Sequence, residues 1–146
     1  MARGISFRGT RKKLAVAAAA AGLVIAFSGQ AQAADYEATT KDKCAWVGGA
    51  YDYYRTGTVS GHPLYNTSWN FTIFDRCTDG KGAGLYTTYW KWENGGWWFH
   101  DYTKLGSDSN GNNYDPGYAE GSGSKVDEVK LYVCLVGDKS SCVALF

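Results

Sequence analysis

Histidine is scarce: His62 and His100 are the only two in 146 residues, so imidazole chemistry has at most two places to occur. No Gly-x-Ser-x-Gly elbow is there to expose a nucleophilic serine. No Cys-x-x-Cys pair occurs, which argues against a zinc site. Aliphatic side chains are few, with seven Val, one Ile and six Leu from residue 34 onward. Beyond that point no segment has the apolar spacing of a helix, and there is no internal repeat. A helical bundle, a serine hydrolase of the elbow type and a zinc protein all fall away.

The amino-terminal segment differs from the rest. Residues 1–13 hold five bases and no acid, residues 14–27 are apolar, and Ala31-Gln32-Ala33 follows. That order reads as an export signal cleaved after Ala33, with an alanine-rich bacterial character. The apolar run is short for a membrane span, and the absence of an Arg-Arg pair points to general secretion. The expected organisation is a signal peptide, 1–33, and a single secreted domain, 34–146. The domain would have 113 residues with ten bases against 14 acids, a formal charge of −4. An acidic surface of this kind does not suit nucleic acid or anionic membrane.

What the domain has in excess is aromatic rings. All six Trp, all 11 Tyr and four of the six Phe lie in it. Rings of this size, roughly 150–250 Å² each, can fill a thin core or form a contact surface. Fifteen glycines recur with turn-forming residues every ten positions or so, the pattern of an all-β fold. The expected architecture is a small antiparallel sandwich or twisted barrel. Its clearest strand is 128–136, where Val129, Leu131, Val133 and Leu135 alternate with other residues and form a core face. Further strands are expected at 69–75, 85–92, 97–102 and 141–146, with weaker ones at 46–54 and 57–64. Residues 106–124, polar and rich in Gly and Asn, read as a long mobile loop.

Asn94-Gly95 is a two-residue hairpin signal, since both positions tolerate positive φ. With that tip, Trp92 opposes Trp97, Lys91 opposes Trp98, Trp90 opposes Phe99 and Tyr89 opposes His100. The purely apolar set, Trp90, Trp92, Trp97 and Phe99, is expected to face the core. Tyr89, Lys91, Trp98 and His100 are then the solvent-facing, ligand-binding set.

Cys44, Cys77, Cys134 and Cys142 allow three pairings. A turn centred on Asp138 sets Cys134 opposite Cys142 and leaves Cys44 with Cys77. Loop entropy assigns about 2.6 kcal/mol to the small loop and about 3.8 kcal/mol to the large one. No catalytic set is expected. Glu93, His100 and Arg76 are the residue types of small secreted ribonucleases, but nothing in the sequence sets their geometry. The acids Asp75, Asp79, Glu93 and Asp101 are available for glycosidase chemistry in a chain with little material for a cleft. His62, in a Gly-His-Pro turn, reads as a loop residue. Asp108, Asn110 and Asn112 alternate as in calcium loops but depart from that pattern, so no metal and no cofactor is expected.

The motif Asp75-Arg76-Cys77-Thr78-Asp79-Gly80 and the terminal hairpin 129–142 resemble those of small secreted actinobacterial β-proteins. The resemblance implies no particular activity. Size and two disulfides are also similar to those of small secreted hydrolase inhibitors, without their reactive-loop motifs. The sequence therefore points to a secreted binding protein. Its partner is expected to be a polysaccharide, taken on flat rings, or alternatively a secreted protein.

Overall fold

The computed structural model describes residues 32–146. The expected signal peptide lies outside the described residues, apart from its last two positions. Seven strands follow one another: β1 (Gln32–Thr39), β2 (Ala45–Val59), β3 (His62–Asp75), β4 (Ala83–Glu93), β5 (Gly96–Asp108), β6 (Gly117–Leu135) and β7 (Asp138–Ala144). They form one antiparallel sheet in the order β1-β2-β3-β6-β4-β5, with β7 beside β6. The described residues contain no helix. The all-β antiparallel class expected from the sequence is the class observed.

The strand that shapes the molecule is β6. Its first half, up to Val126, pairs with β3, and its second half, from Val126 to Leu135, pairs with β4. Between these halves Lys125 and Glu128 adopt positive φ, 57° and 48°, and the register shifts on both sides. Irregularities of this kind bend a strand and sharpen its twist. The sheet is thereby folded over itself, and the inner faces of β2, β3, β4 and β6 share one core. Val47, Phe71, Ile73, Leu85 and Val133 are each fully buried in it. Each such side chain contributes roughly 1.5–3 kcal/mol relative to exposure. The expected core face of the late strand is observed, with Leu131, Val133 and Leu135 buried and Val129 packed against them.

The inner positions of the first half of β6 are Gly117, Ala119, Gly121 and Gly123, facing Ile73, Phe71, Trp69 and Thr67 across the ladder. Small residues are required there. A Cβ on Gly121 would lie 2.6 Å from Cζ2 of Trp69, a separation that packed atoms do not adopt. This corrects the reading of 106–124 as one long loop: β5 runs on to Asp108 and β6 starts at Gly117. The glycines mark close packing of a strand against a ring, not a loop.

Two further boundaries differ from expectation. The segment 57–64 straddles a turn at Ser60-Gly61, both at positive φ, which joins β2 to β3. The strand β1, paired to β2 from Gln32 to Thr39, was not expected, and it begins inside the predicted signal segment. Both disulfides pair as derived, Cys44–Cys77 and Cys134–Cys142. The β6–β7 hairpin turns earlier than expected, at Val136-Gly137, with Leu135 opposite Asp138. A register shift after Val133 restores Cys142 to Cys134.

Candidate functional site

The β4–β5 hairpin has the predicted register: Tyr89 faces His100, Trp90 faces Phe99, Lys91 faces Trp98 and Trp92 faces Trp97. Asn94 and Gly95 form its tip with φ of 51° and 78°. The expected faces hold only in part: Trp98 is exposed as expected and Trp92 and Trp97 are half-buried, but Trp90 and Phe99 are not in the core, and Tyr89 and Lys91 lie on its side. Counting along β4 from fully buried Leu85, every second residue is Thr87, Tyr89 and Lys91, so the mixed face continues the core. Trp90 and Phe99 point outward and are 38% and 52% exposed. Polarity at the hairpin end was a poor guide because the inner face there borders a cavity, where polar groups keep access to water.

That cavity has a volume of about 240 Å³. One wall is Thr87, Tyr89 and Lys91 of β4, and the opposite wall is Tyr51 of β2 with Thr67 and Trp69 of β3. Ser122, Gly123, Ser124, Val126, Val129 and Leu131 of β6 and Leu105 of β5 complete it. Two kinds of surface thus meet: the rings of Tyr51, Tyr89 and Trp69 beside aliphatic side chains, and the hydroxyls of Thr67 and Thr87. Tyr51 is buried beside Thr67, and burial pushes its phenol well above the usual tyrosine range. It remains a neutral hydrogen-bonding group under all ordinary conditions.

A chain of contacts runs along the rim. The Tyr89 and His100 rings stack. His100 Nε2 lies 3.2 Å from Glu93 Oε1, and Lys91 Nζ lies 3.0 Å from Glu93 Oε2. The hydrogen bond and charge of Lys91 hold the Glu93 carboxyl below its ordinary value, and those of Glu93 in turn raise the Lys91 ammonium. Of the four residues expected to bind ligand, Tyr89 and Lys91 line the cavity. His100 stands behind Tyr89, and Trp98 does not line the cavity. Trp98 is 57% exposed and its indole nitrogen leans toward Gly96 at the hairpin tip.

The ribonuclease-type trio is not assembled. Glu93 and His100 meet, but Arg76 follows the far end of β3 and sits over the Trp46 ring at 5.4 Å. Asp101, next to His100 in the chain, points away as strand alternation requires and pairs with Lys139 at 2.9 Å. Asp75 is buried, and desolvation raises its carboxyl, with the Asp108 charge adding to the effect.

The alternating oxygens of the loop after β5 are directed at its own backbone. Asp108 accepts from the backbone N–H of Asp75 at 2.8 Å and from that of Asn110 at 3.2 Å. Asn110 accepts from the Asn112 N–H, and Asn112 from those of Tyr114 and Asp115. These are Asx turns that shape the loop. Among the described residues no group of three or more His, Cys, Asp or Glu is placed to hold a metal ion.

Sequence reasoning offered Tyr51 only as an alternative binding surface and missed Trp69 and Thr67. The available signal was the alternation of small residues from Gly117 to Gly123, which implies a large ring on the facing strand. The chain matches no protein-family model, no curated protein and no solved structure.

Proposed function

We propose that this is a secreted, non-catalytic binding protein that takes a carbohydrate at the cavity beside Tyr89. The observation that carries the reading is the meeting of two rings, Tyr89 and Trp69, with the threonines Thr67 and Thr87 and the Lys91 side chain around one small cavity. A sugar has the matching duality: an apolar ring face that stacks on aromatics, and hydroxyls that exchange hydrogen bonds with Thr and Lys. Two disulfides suit the oxidising compartment that secretion implies. No helix among the described residues is long and apolar enough to cross a membrane.

The test is titration of residues 34–146 with soluble oligosaccharides of varied linkage, followed by calorimetry and by the backbone signals of residues 87–91. Saturable binding that Tyr89→Ala removes, without loss of the folded spectrum, supports the reading. Binding that survives Tyr89→Ala and Lys91→Ala, or the absence of binding to every sugar class, refutes it.

A second reading, a protein-binding factor such as a hydrolase inhibitor, is favoured by one specific feature. The outward rings Trp90 and Phe99 expose apolar area on one face of the hairpin, and rings of this kind anchor protein interfaces. Capture of a secreted hydrolase that Phe99→Ala abolishes and Tyr89→Ala does not would favour this reading over the first.

A further inference from the structure

A second, smaller cavity lies on the outer side of the hairpin, away from the Tyr89 site. Its volume is about 130 Å³ and its lining is His62, Trp90, Trp97, Asp127 and Glu128. Four strands build it: His62 opens β3, Trp90 is in β4, Trp97 in β5, and both acids are in β6. The bend of β6 brings the acids there, since Asp127 pairs with Trp90 across the register shift and Glu128 sits at φ 48°.

The chemistry of this lining is one-sided. It holds two indoles, two carboxylates and no lysine or arginine. Asp127 is 9% exposed; its Oδ1 accepts from the Glu128 N–H at 2.9 Å, and its Oδ2 is 3.7 Å from His62 Nδ1. The His62 ring meets Trp97 edge-on at 5.5 Å. Nε1 of Trp97 is buried and has no hydrogen-bond partner.

The geometry points to a binding site for an organic cation of the trimethylammonium type. A quaternary ammonium donates no hydrogen bond and is weakly hydrated. It is attracted both to the negative faces of indoles and to carboxylates. A hard metal ion would instead need six or more oxygen ligands, and the lining supplies two carboxylates. An anion would meet two like charges. This inference concerns a different cavity from the proposed sugar site and does not depend on it.

The test uses choline and its uncharged carbon isostere, dimethylbutanol, titrated into the full chain while the tryptophan indole N–H signals are followed by NMR. Choline is expected to move the Trp90 and Trp97 signals and to bind about tenfold more tightly than the isostere, the size of a partly desolvated cation–π contact. Trp90→Ala should abolish the shift, and Asp127→Asn should weaken choline while leaving the isostere unchanged. If Asp127→Asn fails to fold, Glu128→Gln supplies the same comparison on an exposed residue. Phosphatidylcholine vesicles run beside free choline separate the two sources of the head group. Binding that Trp90→Ala removes, from either source, supports the site. Equal affinity for choline and the isostere, or no shift of either indole, overturns it. A sugar that moves Tyr89 and leaves Trp90 and Trp97 unmoved bears only on the first cavity.

Discussion

Tyr89 and His100 stack face to face, with ring centroids 4.6 Å apart and planes within 5° of parallel. They are direct partners across the β4–β5 ladder, so the Asn94-Gly95 turn sets the stack. The stack in turn fixes the plane in which His100 reaches Glu93. A slip of one residue would break the stack, the His100–Glu93 contact and the cavity wall together.

Exposure separates the rings into those that fill the core and those that do not. Trp98→Ala, at a side chain more than half exposed, is expected to change stability by no more than about 0.5 kcal/mol. Phe71→Ala, at a fully buried ring, is expected to cost about 3–5 kcal/mol. Trp90→Ala falls between them, because its ring is only partly withdrawn from water. Urea unfolding of the three variants gives the order.

Gly121 and Trp69 are predicted to be energetically coupled. Gly121→Ala puts a methyl into the space of the indole and is expected to cost about 1–3 kcal/mol, as overpacking does. In a Trp69→Phe background, where the ring no longer extends over Gly121, most of that cost should vanish. A double-mutant cycle by denaturant unfolding measures the coupling. Additive effects would mean that Gly121 is needed for a reason other than the ring.

The carboxylates shift in opposite directions, and this divides the acid response. Burial raises Asp75 above its ordinary 3.8, so the folded state binds its proton more tightly than the unfolded chain. The stability assigned to Asp75 therefore rises as pH falls through its raised value. Asp42 and Glu93 are lowered, by a hydrogen bond from Thr40 and by Lys91 respectively. Their contributions are present above the ordinary carboxylate range and are lost as pH falls through their lowered values. Asp75→Asn should therefore stabilise the protein at neutral pH, and the gain should shrink as pH approaches 3.8. Melting temperature against pH for the two proteins tests the sign.

Every described cysteine is in a disulfide, and the two bridges close loops of different length. Removal of Cys44–Cys77, whose ends are 33 positions apart, should destabilise more than removal of Cys134–Cys142, whose ends are eight apart. Paired serine substitutions and thermal unfolding give the comparison. The reverse order would show that the terminal hairpin depends on its bridge for more than chain entropy.

Local patterns were legible in the sequence where one residue type has one physical meaning. Asn94-Gly95 gave the register, the run from Val129 to Leu135 gave a core face, and hairpin geometry gave the cysteine pairing. The inner face of the hairpin was not legible, because Tyr89 and Lys91 look like solvent residues until β4 is followed back to Leu85. The loop reading of 106–124 failed for a related reason. Glycine in isolation says turn, and only the facing strand, with Trp69 over Gly121, reveals a packed ladder. Cavities depend on distant strands meeting, and β6 makes that meeting through two bends at Lys125 and Glu128 that no local propensity announces.

The position of β6 also sets an order of events. Hairpins β2–β3 and β4–β5 join neighbours in the chain and can close early, on local contacts alone. The partner that unites them comes after both, pairing Tyr65 with Val126 and Ala83 with Leu135. Until that last long strand is in place, each hairpin presents an open ladder and an uncovered inner face. Capture of β6 between the two hairpins is a highly non-local step, and pairing of that kind slows folding. Before it, the chain is open to pairing with a second copy.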